Sequence, residues 1–214
     1  MNTYVDHHHE AKPHAPSEIE FSGQQEGERV LYEVHPHHIS FAIAMMKIGG
    51  ISAIIFLMLT AVSFAFPMMT FLAIILPLII LIVGYWVNHG IHDKTVAYIT
   101  DRRVVRFEAT TPFHVGNRTL SFDDVTKIKT YGSGMIEGMA NVGVVGFKAR
   151  TTLVKGGMEQ PTTEFVDDDI QLNHVYYYKD LGNYLDKLLY LYKHDREELK
   201  KLRRFVAKSR GNRY

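Results

Sequence analysis

The sequence predicts an α+β protein: a two-helix transmembrane hairpin, then a small β-sandwich or barrel capped by a C-terminal helix. Three observations carry this. Residues 48–87 contain no Asp, Glu, Lys, Arg or His. After residue 94 the hydrophobic period changes from helical to alternating, in short runs separated by turn residues. Leu181, Tyr184, Leu185, Leu188 and Tyr192 then recur at three- and four-residue spacings, which draws one apolar helix face.

Whole-chain averages conceal this plan. A chain of 214 residues with a formal net charge of +1 and a mean hydropathy near zero looks soluble. The average mixes one very apolar segment with polar flanks. There is no cysteine, so neither a disulfide framework nor a thiolate site is available. No cleavable signal peptide is expected, because the first apolar run starts late and runs long.

Residues 1–27 read as a disordered, acidic, His-rich tail with Pro, Ser, Gln and Gly and no periodicity. His7, His8, His9 and His14 are either solvated or ligands for a transition metal. Residues 28–38 form a pre-membrane segment in which Val30, Leu31 and Tyr32 suggest a short strand. His35, His37 and His38 stand just before the apolar run, and His89 and His92 just after it. A hairpin returns its ends to the same face, so these five gather at one interface. They are weak candidates for a metal or proton site; the other reading is rings lying at headgroup level.

The hairpin is expected over residues 39–93. As one helix, residues 48–87 would run about 60 Å, twice the roughly 30 Å of a bilayer's hydrocarbon core. Pro67 divides them into two halves of spanning length, with a turn over residues 66–70. Lys47 can snorkel to the interface. With Lys94, Arg102 and Arg103 it places the positive charge at the open end of the hairpin, so both termini are expected in the cytoplasm of an inner or plasma membrane. Tyr85 and Trp86 form an aromatic anchor. Gly49, Ala53, Ala61 and Ala65, four residues apart or multiples of four, are expected to let the helices approach, and Pro77 to kink the second. The spans hold no Asp, Glu or Arg, which argues against a transport path.

The soluble domain is expected over residues 94–192. Short strands are read at 95–100, 103–109, 118–122, 125–131, 142–150, 151–155 and 162–166, with turns at Gly116-Asn117, Asp123-Asp124, Gly132-Ser133-Gly134 and Gly156-Gly157. Gly132, Gly134 and Gly138 lack the spacing and the Lys of a phosphate loop and read as a turn. Asp167-Asp168-Asp169 reads as a solvated loop.

The stretches AYITDRRVVRF, LSFDDVTKI and MIEGMANVGVVGF, following two transmembrane helices, resemble the bacterial membrane-anchored pleckstrin-homology-like domains, the YdbS-like or bacterial PH group. VHPHHISF is similar to the segment that precedes the first helix in that group. The resemblance covers about residues 28–192. It implies seven strands in two near-orthogonal sheets closed by the C-terminal helix, and it brings a fold more than a function. Eukaryotic PH domains read inositol phosphates with basic residues near the first hairpin, which makes Arg102, Arg103, Arg106 and Arg118 candidate lipid-headgroup residues. Strand alternation puts Arg106 and Glu108 on one face, Val105 and Phe107 on the other, so Arg106 also has a partner across the sheet as a reading.

Residues 193–214 hold nine Lys or Arg against three Asp or Glu, and the apolar stripe resumes at Leu199, Leu202, Phe205 and Val206. The helix is expected to continue past the domain as a basic tail, with Lys200, Lys201, Arg203, Arg204 and Lys208 on an anionic leaflet. Rivals are an acidic protein partner, RNA, or a solvated helix end. Base-stacking aromatics are not interleaved, so nucleic acid is not expected. No catalytic constellation or cofactor motif stands out, and the chain is not expected to be an enzyme. The expected function is a membrane scaffold whose PH-like domain binds a membrane protein or further copies of itself. The alternative is an accessory subunit of a larger transport, secretion or enzyme complex, with a His-bound metal.

Overall fold

In the structure, a computed structural model, residues 19–132, 134, 138, 140–155 and 162–207 are described, with backbone alone at 150–155 and 162–168. Two apolar helices, α1 (His38–Ser63) and α2 (Met69–Lys94), form an antiparallel hairpin. Each has 26 residues and is long and apolar enough to cross a membrane. The connection is tight: Ala65 N and Phe66 N donate to Val62 O, and Met69 N donates to Phe66 O.

The helices meet along a different seam from the one expected. Ser52 is buried, and its Oγ donates to Pro77 O at 2.9 Å. Ala73 and Pro77 are buried opposite it, and a Cβ on Gly84 would come within 2.7 Å of Ile48. Gly49 faces open space, and Ala53, Ala61 and Ala65 are exposed. Positions 49 and 53 lie one residue, about 100°, around the helix from 48 and 52, so one row cannot share the seam with the other. Ile51, Ile54, Leu57, Met58, Ile79 and Ile82 point outward as a broad apolar surface.

Among the described residues seven strands, all paired antiparallel, form the two expected sheets, and one of them comes from before the hairpin. β1 (Val30–Val34), β2 (Val96–Thr100), β3 (Arg103–Thr111) and β4 (His114–Ser121) form one sheet in that order. β5 (Val125–Tyr131), β6 (Val142–Lys155) and β7 (Thr162–Tyr176) form the other. β1 pairs with β2 from Val30↔Thr100 to Val34↔Ala97, so the hairpin is inserted between neighbouring strands of one sheet. Thr95 alone separates α2 from β2.

Ile99, Val104, Phe122, Val125, Phe147 and Ile170 fill the space between the sheets. Helix α3 (Tyr178–His194) closes it with Leu181, Leu185 and Leu188, all fully buried, as its apolar stripe predicts.

Pairing lengthens several strands beyond their sequence signals. β6 runs unbroken through residues 150 and 151, and β7 extends ten residues past the expected end at 166, because the two pair from Val142↔Tyr176 to Lys155↔Thr162. Asp167-Asp168-Asp169 therefore lies in a strand rather than a loop, in register with Arg150, Ala149 and Lys148, and Lys148 Nζ stands 3.6 Å from Asp169. Gly156-Gly157 and most of residues 133–139 lie outside the described residues, as do His7, His8, His9 and His14.

The domain also extends beyond 94–192 at both ends. Residues 19–27, read as tail, turn back on the outer face of the first sheet. There Phe21 stacks on Tyr98 at 4.9 Å and meets Phe107 edge-on. The C-terminal helix stops at His194. Asp195, at φ −146°, leaves the helical region, and its Oδ1 accepts from Glu197 N and Glu198 N to start a new short helix, α4 (Arg196–Lys201). This redirects the renewed stripe inward. Leu199 is buried, Phe205 N donates to Leu31 O, and the Phe205 ring meets Tyr32 at 4.8 Å and Tyr184 at 5.3 Å. Burial raises the Tyr184 hydroxyl to about 12.

Candidate juxtamembrane site

Alternation along β3 puts Arg106 and Glu108 on the inner face, where the space between the sheets opens toward the base of the hairpin. Their ion pair measures 2.8 Å. Burial lowers the Arg106 pKa against the pull of Glu108, and Arg118, directly opposite on β4, pushes the same way as burial. A cavity of about 240 Å³ lies here, lined by these two residues with Ser40, Asn88, His92 and His174 among others.

The histidines before and after the hairpin do converge, but each is engaged differently. His37 N donates to His174 O at 2.9 Å, tying the start of α1 to β7. The His37 Nδ1 accepts from Ile39 N at 3.2 Å and so caps α1. Burial lowers the His37 pKa, and the neighbouring rings of His38, His92 and His174 add to the shift. The bond from Ile39 N requires Nδ1 to be the unprotonated ring nitrogen, a role open only to the neutral imidazole. Ser40 Oγ lies 2.9 Å from His37 O, to which it donates, and 3.3 Å from His92 Nδ1. The His38 and His92 rings are 5.7 Å apart, while Phe41 meets Tyr85, His89 and His92. His35 Nε2 stands 3.1 Å from Glu33 and His89 Nδ1 2.7 Å from Asp93. Among the described residues no group of three or more His, Asp or Glu is placed to hold a metal ion.

The arginines read as headgroup candidates are spread over the first sheet. β1 runs toward the hairpin and β2, antiparallel to it, runs away, so Asp101, Arg102 and Arg103 turn at the far end of the sheet. Arg103 is committed there. Its Nε and Nη2 donate to Glu28 at 2.9 and 2.8 Å, and Nη2 also donates to Gly23 O. The Glu28 side chain is 0% exposed. Burial alone would raise its pKa; the bonds from Arg103, Gln25 N and Thr100 outweigh that and leave it lowered. Arg102 is exposed, and Arg106 faces the cavity.

The basic tail also sits at the far end. Arg29, just before β1, donates to the carbonyls of Leu199 and Lys200. From Arg29 to the N-cap of α1 the chain runs eight residues, about 26 Å when extended. Lys200, Lys201, Arg203 and Arg204 are thus held at the end of the sheet opposite the hairpin, not beside it, and Lys208 lies outside the described residues. Ser40, Asn88, His174 and Glu28 carry no sequence signal, because the contacts that set their places, with His92, Phe41, His37 and Arg103 in turn, reach across 47 or more residues.

The contact that remains at the base of the hairpin is the two-residue turn between β3 and β4. Lys94 Nζ donates to Pro112 O, a Cβ on Gly90 would touch Pro112 at 3.0 Å, and the Trp86 and Phe113 rings lie 5.7 Å apart. No family model, curated protein or solved structure matches this chain. The reading of function therefore rests on this geometry and on the sequence.

Proposed function

We propose that this chain is a non-enzymatic integral-membrane scaffold whose hairpin spans the bilayer and holds a PH-like domain against its cytoplasmic face, for binding a protein partner or further copies of itself. The observation that carries the reading is the insertion of the hairpin between β1 and β2, adjacent strands of one sheet. The domain is clamped to the helices, not tethered to them. A single residue joins α2 to β2, His37 is bonded to β7, and Lys94 to the β3–β4 turn. A hairpin pinned in this way sets the height and tilt of the domain over the lipid, which suits presentation of a surface to a membrane partner. Two sheets of four and three strands with a helix at one end support the PH-like assignment. Lys47, Lys94, Arg102 and Arg103 support a cytoplasmic domain by the positive-inside rule.

Cross-linking the full chain in native membranes, followed by purification in mild detergent and nanodiscs, tests the reading. Oligomers of fixed size, or one protein recovered at fixed stoichiometry, are expected. Recovery with a catalytic or transport subunit would make the chain an accessory subunit. Single copies without a partner in every condition would overturn the proposal.

A further inference from the structure

The β3–β4 turn is built of the wrong residues for water. Two-residue hairpin turns in solvent favour Asn-Gly, Asp-Gly and other polar or glycine pairs. Here the connecting residues are Pro112 and Phe113, and Phe113 is 82% exposed. Thr111 Oγ1 accepts from Phe113 N at 3.3 Å and from His114 N at 3.0 Å, so the turn is held in shape and Phe113 is fixed outward. Val115, next on β4, is exposed as well.

The position of this turn explains its composition. It descends along the last two turns of α2, touching Lys94, then Gly90, then Trp86. Trp86 lies eight residues inside the end of α2, about 12 Å along the axis. It is also one residue short of Asn88's neighbour Val87, where the uncharged apolar run ends. Phe113 therefore stands level with the end of the apolar run, beside exposed Tyr85 and Trp86. Trp and Tyr concentrate at that depth because their rings are amphipathic, and Phe is among the residues that interfacial segments bury at the headgroup–acyl boundary.

We propose that the β3–β4 turn is a membrane-inserted tip: Pro112 and Phe113, with Val115 behind them, enter the boundary between headgroups and acyl chains next to α2. The partner is the lipid surface itself, through apolar contact and not through charge. The inference rests on the reading that α2 spans a bilayer. Its consequence is a second point of attachment, offset from the helix axes, which prevents the domain from rocking about the hairpin.

The test uses the full chain in liposomes containing lipids brominated at shallow or deep acyl positions. Trp86 is the single tryptophan, so Trp86→Phe with Phe113→Trp places one fluorophore at the tip. A parallel chain carries Trp86→Phe with Leu78→Trp, at an exposed mid-helix position of α2. The tip probe should emit at short wavelength, be quenched more by shallow than by deep bromines, and resist aqueous acrylamide. The mid-helix probe should be quenched most by deep bromines. If the mid-helix probe is quenched and the tip probe is not, and the tip emits at long wavelength and is open to acrylamide, the inference fails while the spanning reading stands. A tip shielded from acrylamide but untouched by bromine is covered by protein, which also overturns it. A mid-helix probe that no bromine quenches removes the spanning reading itself.

Discussion

Replacing Arg103 separates a structural arginine from a ligand-binding one. Its guanidinium makes two bonds to Glu28, whose side chain is 0% exposed, and one to Gly23 O. Arg103→Gln would leave a buried carboxylate without its cation. Breaking a buried pair by removing one partner costs about 3–5 kcal/mol. Arg103 keeps some exposure, so the low end, about 3 kcal/mol, is expected, or roughly a hundredfold in the folding equilibrium. That is a large share of the roughly 5–15 kcal/mol that stabilises a domain. Glu28→Gln combined with Arg103→Gln removes the stranded charge and should recover much of the loss. Urea unfolding of the full chain in nanodiscs, followed by pulse proteolysis of the β-domain, reads both. The pH dependence adds a sign. Glu28 has a lowered pKa in the fold, so the pair's contribution is complete above the carboxylate's unfolded value, about 4.3, and fades as pH falls through the folded one. The Arg103→Gln chain should lack that acid-sensitive increment. A variant as stable as the parent, but with weakened binding to anionic vesicles, would refute the structural role and restore Arg103 as a headgroup ligand.

Three further outcomes follow from the packing. Truncation after His194 removes buried Leu199 and the Phe205 contact with Tyr32 and Tyr184. Loss of the leucine alone should cost about 1.5–3 kcal/mol, and an unchanged unfolding midpoint would show the tail to be dispensable. Leu185→Asp places a carboxylate at a fully buried position of α3. It should unfold the β-domain while the hairpin stays in the membrane, as limited proteolysis of membrane fractions would report. Acidification should loosen the first turn of α1. His37 caps that helix as a neutral acceptor with a lowered pKa, so stability is complete above about 6.5 and is lost as pH falls toward the folded value. Hydrogen exchange at Ile39 and Ser40, corrected for intrinsic rates, should rise on acidification in the parent and not in His37→Asn, whose amide caps without titrating. Equal rises in both would rule out the cap as the sensor.

Local composition was enough for the elements that depend on it. Forty uncharged residues broken by Pro67 specify two long apolar helices and their turn, since few other structures bury so many backbone groups and leave no polar stripe. The stripe from Leu181 to Tyr192 specifies a capping helix because its period matches the helix. Alternation located β2, β5 and most of β3, and it put Arg106 and Glu108 on a common face. Tertiary structure decided what depends on partners distant in sequence. Which row of α1 forms the seam is set by Gly84 and Pro77 on the other helix, and no property of Gly49 or Ala53 could exclude them. The length of β7 comes from its pairing with β6, which carries an acidic run through a strand that local propensity would end. The fates of Arg103 and the basic tail were decided in the same way. Both read as surface charge, until Glu28 in one case and Leu31 and Tyr184 in the other supply contacts that only the folded sheet brings within reach.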